Sequence, residues 1–211
     1  MFDVIPTAFI FFAAAAILLA LPKGPARGLL LLITPIIAGV QVWNAGFGNF
    51  VQVGFFGFEL ELMRIDGLSR IFTMVFCLAA FLGNLYAWHV RDTVQQVAAL
   101  LYAGSAIGAV LAGDMITLFF YWEGTAIASV FLIWARRTEG AYNTGMRYLI
   151  IQVASGVVLI AGVALFYRET GSIAFERMTL GSPGTWLIFM SFGVKCAFPL
   201  LHNWLQDSYP A

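Results

Sequence analysis

The chain has 211 residues, of which 61% are hydrophobic, 16% aromatic and only 10% charged, against about 25% charged in ordinary soluble domains. Mean hydropathy is +0.89, and eleven Lys+Arg balance eleven Asp+Glu. These figures exclude a soluble enzyme, a disordered chain and a disulfide scaffold, and the charge balance gives no support for nucleic-acid binding. They leave an all-α integral membrane protein.

A bilayer core ~30 Å thick takes roughly 20 apolar residues as helix, and lipid offers backbone groups no partner, so each span must be helical. In chain order the apolar segments are Val4–Leu21, Gly28–Trp43, Ile71–Val90, Val94–Ala112, Met115–Trp134, Tyr148–Tyr167 and Thr185–Trp204. Seven transmembrane helices are expected, within a single domain over 1–211. Asp3 and the length of the first run predict a retained helix, not a cleaved leader. Pro22-Lys-Gly-Pro25 is a turn. Between the second and third spans, Phe58, Leu60 and Leu62 alternate with Glu59 and Glu61, and Val51 and Val53 repeat the pattern. Gly54 and Gly57 lie between the runs, so Asn44–Asp66 predicts an extramembrane β-hairpin. Arg136–Arg147 and Arg168–Gly184 read as polar loops.

Lys23, Arg27, Arg91, Arg136, Arg137 and Arg147 fall on one side of this topology, and Arg64, Arg70, Arg168 and Arg177 on the other. The excess places the N-terminus and hairpin outside and the C-terminus in the cytoplasm. Small residues four apart, such as Gly104, Gly108 and Ala112, suit close helix packing. Cys77 and Cys196 lack metal-type spacing and read as small hydrophobes inside helices.

Two ionisable residues interrupt the spans. Glu123 is ~12 Å into the fifth helix and Lys195 ~15 Å into the seventh, both near the middle of the ~30 Å core. An isolated charge there costs at least ~2.5–3.5 kcal/mol. The two residues read either as a static ion pair or as a pair that handles protons: together they hold a proton, and apart they release it. Pro199 cannot donate to the Lys195 carbonyl four residues earlier, so it predicts a helix broken at the lysine, a feature that often marks ion sites. His202, seven residues after Lys195, lies two turns along the same expected face, as a proton relay or an interfacial anchor. Asp207 follows it near the cytoplasmic end. Asp114 reads as a helix N-cap, and Trp88 and His89 as interfacial.

The stretch Lys195-Cys-Ala-Phe-Pro-Leu-Leu-His-Asn-Trp-Leu-Gln-Asp-Ser-Tyr-Pro210 resembles the seventh-helix signature of antiporter-like proton-translocating subunits. Such subunits occur in Mrp-type cation/proton antiporters, respiratory complex I and membrane-bound hydrogenases. Lys195 and Trp204 keep the family's nine-residue spacing, and His202 and Leu205 align. Pro199 stands one position early, and Gln206 replaces a second proline. Asp114-Met-Ile-Thr-Leu-Phe-Phe-Tyr-Trp-Glu123 resembles the fifth-helix signature, whose glutamate pairs with that lysine. The Ser208-Tyr-Pro ending is most similar to the D-type member of the Mrp antiporters.

The resemblance implies a subunit of a multisubunit cation/proton antiporter, with protons and Na⁺ as cargo and no cofactor. It also implies a bacterial cytoplasmic membrane and other membrane subunits as partners. Family members have about fourteen helices in two inverted repeats, so the chain corresponds to an N-terminal half, and a separate polypeptide is expected to supply the remaining helices. The alternatives are a subunit of a redox-driven proton or sodium pump and a non-conducting structural subunit. No metal cluster, nucleophile elbow, phosphate loop or dinucleotide fingerprint is present to suggest an enzyme.

Overall fold

The computed structural model describes residues 5–175 and 177–208, except the side chain of Asn49. Val4, where the first expected span begins, and Tyr209 and Pro210 of the C-terminal signature lie outside the described residues. The chain divides into two compact units at Gly113/Asp114.

The first unit contains α1 (Thr7–Ala20), α2 (Pro25–Asn44), strands β1 (Gly48–Phe55) and β2 (Phe58–Ile65), α3 (Gly67–Tyr86) and α4 (Thr93–Leu111). α1 packs on α2 and α4, and α3 on α2 and α4. Phe11, Leu18, Val42, Leu100, Ile107 and Leu111 form the core. Pro25 opens α2, where its missing N–H is harmless. Pro35, inside α2, frees the carbonyl of Leu31 four residues earlier. Asn84 of α3 donates to that carbonyl from Nδ2 at 2.9 Å, so one helix repairs the other. Arg27 is 6% exposed. It donates to the Leu21 carbonyl from Nε (3.0 Å) and Nη2 (2.6 Å), and to Thr93 from Nη1 (2.7 Å). One of the charges counted for orientation is therefore a clamp on the end of α1.

The expected hairpin is present, antiparallel from Gly48↔Ile65 to Phe55↔Phe58. Phe56 (φ 47°) and Gly57 (φ 87°) make its two-residue turn; positive φ at both positions is the twist-matching geometry for such a loop. The period of two does not run unbroken. Pairing skips Phe50 and Leu62, and the buried face passes from Leu60 to Met63 and Ile65. These bulges turn the strand so that Met63 and Ile65 join the helical core.

The second unit contains α5 (Met115–Trp134), α6 (Glu139–Thr170), α7 (Pro183–Lys195) and the short α8 (Asn203–Ser208). α6 packs against α5, α7 and α8. Its 32 residues make it ~48 Å long. Residues 139–147, expected as polar loop, are instead its first turns, capped by Thr138, whose Oγ1 accepts from the Ala141 N–H at 3.1 Å. Asp114 caps α5, accepting from the Thr117 N–H (2.8 Å) and hydroxyl (2.6 Å). Cys77 is buried in α3, but Cys196 is exposed and lies just past α7.

Each expected segment overlaps a helix, the seventh only up to Lys195 and again from Asn203, but among the described residues only five helices are long and apolar enough to cross a membrane: α2, α3 with its extension to His89, α4, α5 and α6. α1 has 14 residues and α7 has 13. α7 is shorter than expected because it ends at Lys195 instead of bending through Pro199. Outward faces of the long helices are apolar, and α3 buries only Thr73 and Cys77. Such surfaces are what lipid would cover.

Asp66 starts α3 with a reciprocal cap: its side chain accepts from the Ser69 N–H at 2.7 Å, and its own N–H donates to Ser69 Oγ at 2.9 Å. The bond from the Ser69 N–H, chiefly, holds the Asp66 carboxyl below the usual carboxylate range. A depressed folded-state pKa adds stability above the ordinary carboxylate pKa, and that stability is lost as pH falls through the depressed value. Asp66→Ala is expected to loosen the start of α3 by about 1 kcal/mol at neutral pH. The difference from wild type should disappear once Asp66 itself is protonated. Amide exchange of residues 67–70 at neutral and acid pH measures both.

Candidate functional site

Glu123 lies midway along α5, and Lys195 is the last residue of α7. The structure brings them together, with Lys195 Nζ 3.8 Å from Glu123 Oε1. Their side chains are 9% and 17% exposed, lysine first. At 3.8 Å the contact is an ion pair without a hydrogen bond, and Oε1 has no hydrogen-bond partner among the described residues. Attraction at this range is about 4 kcal/mol at an effective dielectric of ~20. Taking each ion out of water costs several kcal/mol. Much of the attraction is thus offset by dehydration, and removing either partner would strand the other charge. The ammonium also stands 5.3 Å from the centre of the Trp122 ring, close enough for a cation–π attraction. Trp122 is held in turn against Phe192, with ring centres 4.6 Å apart.

The seat of the carboxylate is Gly156 on α6. A methyl group there would fall 2.1 Å from Glu123 Oε1, so only glycine lets the carboxylate lie against the α6 backbone. Sequence reasoning missed this residue, because a glycine in an apolar helix reads as packing. Packing does explain Gly162, where an added methyl would meet the Ile188 nitrogen at 2.8 Å and the Gly184 oxygen at 3.0 Å. One residue before Gly156, the Ser155 carbonyl accepts from Ser191 Oγ at 2.7 Å, tying α7 to α6.

α7 ends in two closing bonds: Ala197 N–H to the Val194 carbonyl (3.2 Å) and Phe198 N–H to the Gly193 carbonyl (2.9 Å). Ala197 is left-handed, with φ 53°. This is the Schellman termination, usually built on glycine, and the left-handed form costs a non-glycine residue roughly 1–2 kcal/mol. Pro199 lies two residues beyond Ala197, inside the non-helical stretch 196–202. His202 is therefore not two helical turns along the face of Lys195; it is half-buried at the start of α8. Trp204 turns back, and its indole N–H donates to the Val194 carbonyl at 3.0 Å. The nine-residue spacing from Lys195 to Trp204 thus has a mechanical basis, since the tryptophan fastens the turn beside the lysine. Asp207 pairs with Arg147 at 2.8 Å, with both side chains well exposed, a contact worth about 0–1 kcal/mol. The described residues hold no cluster suited to a metal ion.

Two glycine replacements separate seat from packing. Gly156→Ala displaces only the flexible end of Glu123, so the thermal unfolding midpoint in detergent should change little. Gly162→Ala presses on backbone and should lower the midpoint clearly. Equal losses would show that the carboxylate is not seated on α6.

Residues 112–211 match the family described as "NADH:quinone oxidoreductase/Mrp antiporter, TM". NADH-quinone oxidoreductase subunit M of Escherichia coli is 28% identical over 193 residues, covering 82% of this chain and 38% of the relative. A Na(+)/H(+) antiporter subunit of Alkalihalophilus pseudofirmus is 27% identical over 165 residues, covering 70% and 20%. A chain of respiratory complex I from Thermus thermophilus superposes with a TM-score of 0.77 at 19% identity, over 96% of this chain and 47% of that one. The resemblance carried by the two signatures is borne out by this domain match and by relatives named as NADH-quinone oxidoreductase and Na(+)/H(+) antiporter subunits. The chain spans less than half the length of these relatives.

Proposed function

We propose that the chain is a proton-translocating subunit of a multisubunit cation/proton antiporter of the Na⁺/H⁺ type, and that Glu123 and Lys195 load and release the proton. The observation that carries this reading is the buried ion pair at 3.8 Å, held by no hydrogen bond. A pair fastened that loosely can separate. While the two groups are close, the carboxylate keeps the proton on the lysine amine; when they part, the proton can leave the amine for water or a relay such as His202, leaving the amine neutral. No cofactor is required. In this reading the short α1, and α7 together with α8, complete seven membrane segments. The N-terminus faces outside and the C-terminus the cytoplasm of a bacterial inner membrane, and other membrane subunits surround the chain.

A second reading, membership of a redox-driven proton or sodium pump, draws on the greater coverage of this chain by the NADH-quinone oxidoreductase relative and on the fold shared with a complex I chain. Polypeptides that copurify in mild detergent distinguish the two. A quinone-reducing or hydrogenase-like partner favours the pump, whereas antiporter-like and small membrane subunits alone favour cation exchange.

Arginine keeps the positive charge but does not give up its proton under ordinary conditions. Lys195→Arg and Lys195→Ala are both expected to abolish cation/proton exchange in vesicles carrying the whole complex, with subunit content on a native gel near wild type. Near-normal exchange by assembled Lys195→Arg would show that Lys195 is not a proton carrier.

A further inference from the structure

Gln152 of α6 is 2% exposed, and its amide nitrogen is fully buried with no hydrogen-bond partner among the described residues. A buried amide donor left unpaired is costly, so its position matters. On the α5 side, Tyr148 meets Ser129, hydroxyl to hydroxyl at 2.7 Å, and Gly156 meets Glu123. Residue 152 lies between these two contacts, one helical turn before Gly156 on the same face. On the α7 side, the Ser155–Ser191 contact and the antiparallel run of the helices put residue 152 level with Val194 and Lys195. Gln152 thus continues the stripe of Ser155, Gly156, Leu159, Gly162 and Val163, which is buried and faces α5 and α7. The α7 register thus sets it level with Lys195, and the α5 register within one helical turn of Glu123. Tyr121, whose hydroxyl is also unpaired, is two residues from Glu123 and so projects from a different face of α5.

We infer that Gln152 is a positioning residue of the Glu123–Lys195 site: its amide is the neutral donor that holds the Glu123 carboxylate when Lys195 moves away. This rests on the proposed switching of the pair. A buried carboxylate that loses its cation needs another donor. The amide nitrogen of Gln152 has none of its donor capacity committed elsewhere, and glutamine, unlike a second lysine, does not compete for the transferred proton. When Lys195 returns, the carboxylate exchanges the amide for the ammonium.

The test isolates the separated state. Lys195→Ala removes the cation permanently, and the Glu123 carboxyl stretch, ionised or protonated, is followed by infrared spectroscopy of the complex in lipid, assigned by its loss in Glu123→Gln. Adding Gln152→Leu to Lys195→Ala is expected to shift that band, because the amide hydrogen bond is gone. With Lys195 present, Gln152→Leu alone is expected to lower exchange about tenfold with normal assembly, the scale of one hydrogen bond to a charged group. Should Gln152→Leu fail to assemble, Gln152→Met keeps the length and removes the amide. An unshifted band, or wild-type exchange in an assembled Gln152 variant, overturns the inference. The infrared comparison needs no transport, so it decides the role of Gln152 even if Lys195→Arg shows that the lysine carries no proton.

Discussion

The pairing of one carboxylate and one amine inside an apolar bundle governs the second half of this molecule. Neither charge is tolerable alone at such burial, and together they recover only part of what dehydration costs. The surrounding structure supplies the rest in small contributions. Trp122 offers its ring face to the ammonium. Gly156 removes a side chain so that the carboxylate can approach. Lys195 occupies the last position of α7, where the negative end of the helix dipole favours a cation by roughly 0.3–1 kcal/mol. Each contribution is modest, and together they keep a charge where composition alone would forbid one.

The termination of α7 follows from the same constraint. A helix that continued past Lys195 would place the ammonium in mid-helix, away from the dipole end. The closing bonds to Val194 and Gly193, the left-handed Ala197 and the indole bond from Trp204 end the helix at the residue that carries the charge. Ala197 bears a strain that glycine would not, and Trp204 offsets it from further along the chain. Phe198 lies against Gly193, the apolar contact that commonly accompanies this kind of helix end.

Much of this was legible in the sequence, and the misses share a cause. The spans stood out because lipid demands long apolar runs, and the hairpin because its alternation and glycines are local signals. Glu123 and Lys195 were visible as charges out of place. What escaped was set by contacts between elements. Gly156 looks like any small residue until Glu123 is known to lie against it. The bulges at Phe50 and Leu62 depend on docking Met63 and Ile65 into a core built from distant helices. The break at Lys195 was read from Pro199, because proline has a strong local signature, whereas the left-handed Ala197 that closes the helix has none. The first turns of α6 passed for a loop because residues 139–147 are polar, and polarity excludes a membrane span without excluding a helix.

The proposed switching requires a charged site that is both held and movable, and the distribution of contacts along α7 suits that requirement. Its first half is fastened to α6 by direct backbone approach at Gly162 and Gly184, and its middle by the Ser191 hydroxyl on the Ser155 carbonyl. Neither contact can slide without opening a close-packed interface. Beyond Ser191 the attachments change in kind: a ring against a glycine, a strained turn, one indole bond and an ion pair longer than a hydrogen bond. Displacement of this end need break no tight backbone contact, while the fixed half sets where Lys195 returns. In the proposed switching, the gradient from tight to loose along a single 13-residue helix would confine displacement to the end that bears the charge, with the carboxylate on its glycine seat as the partner it returns to.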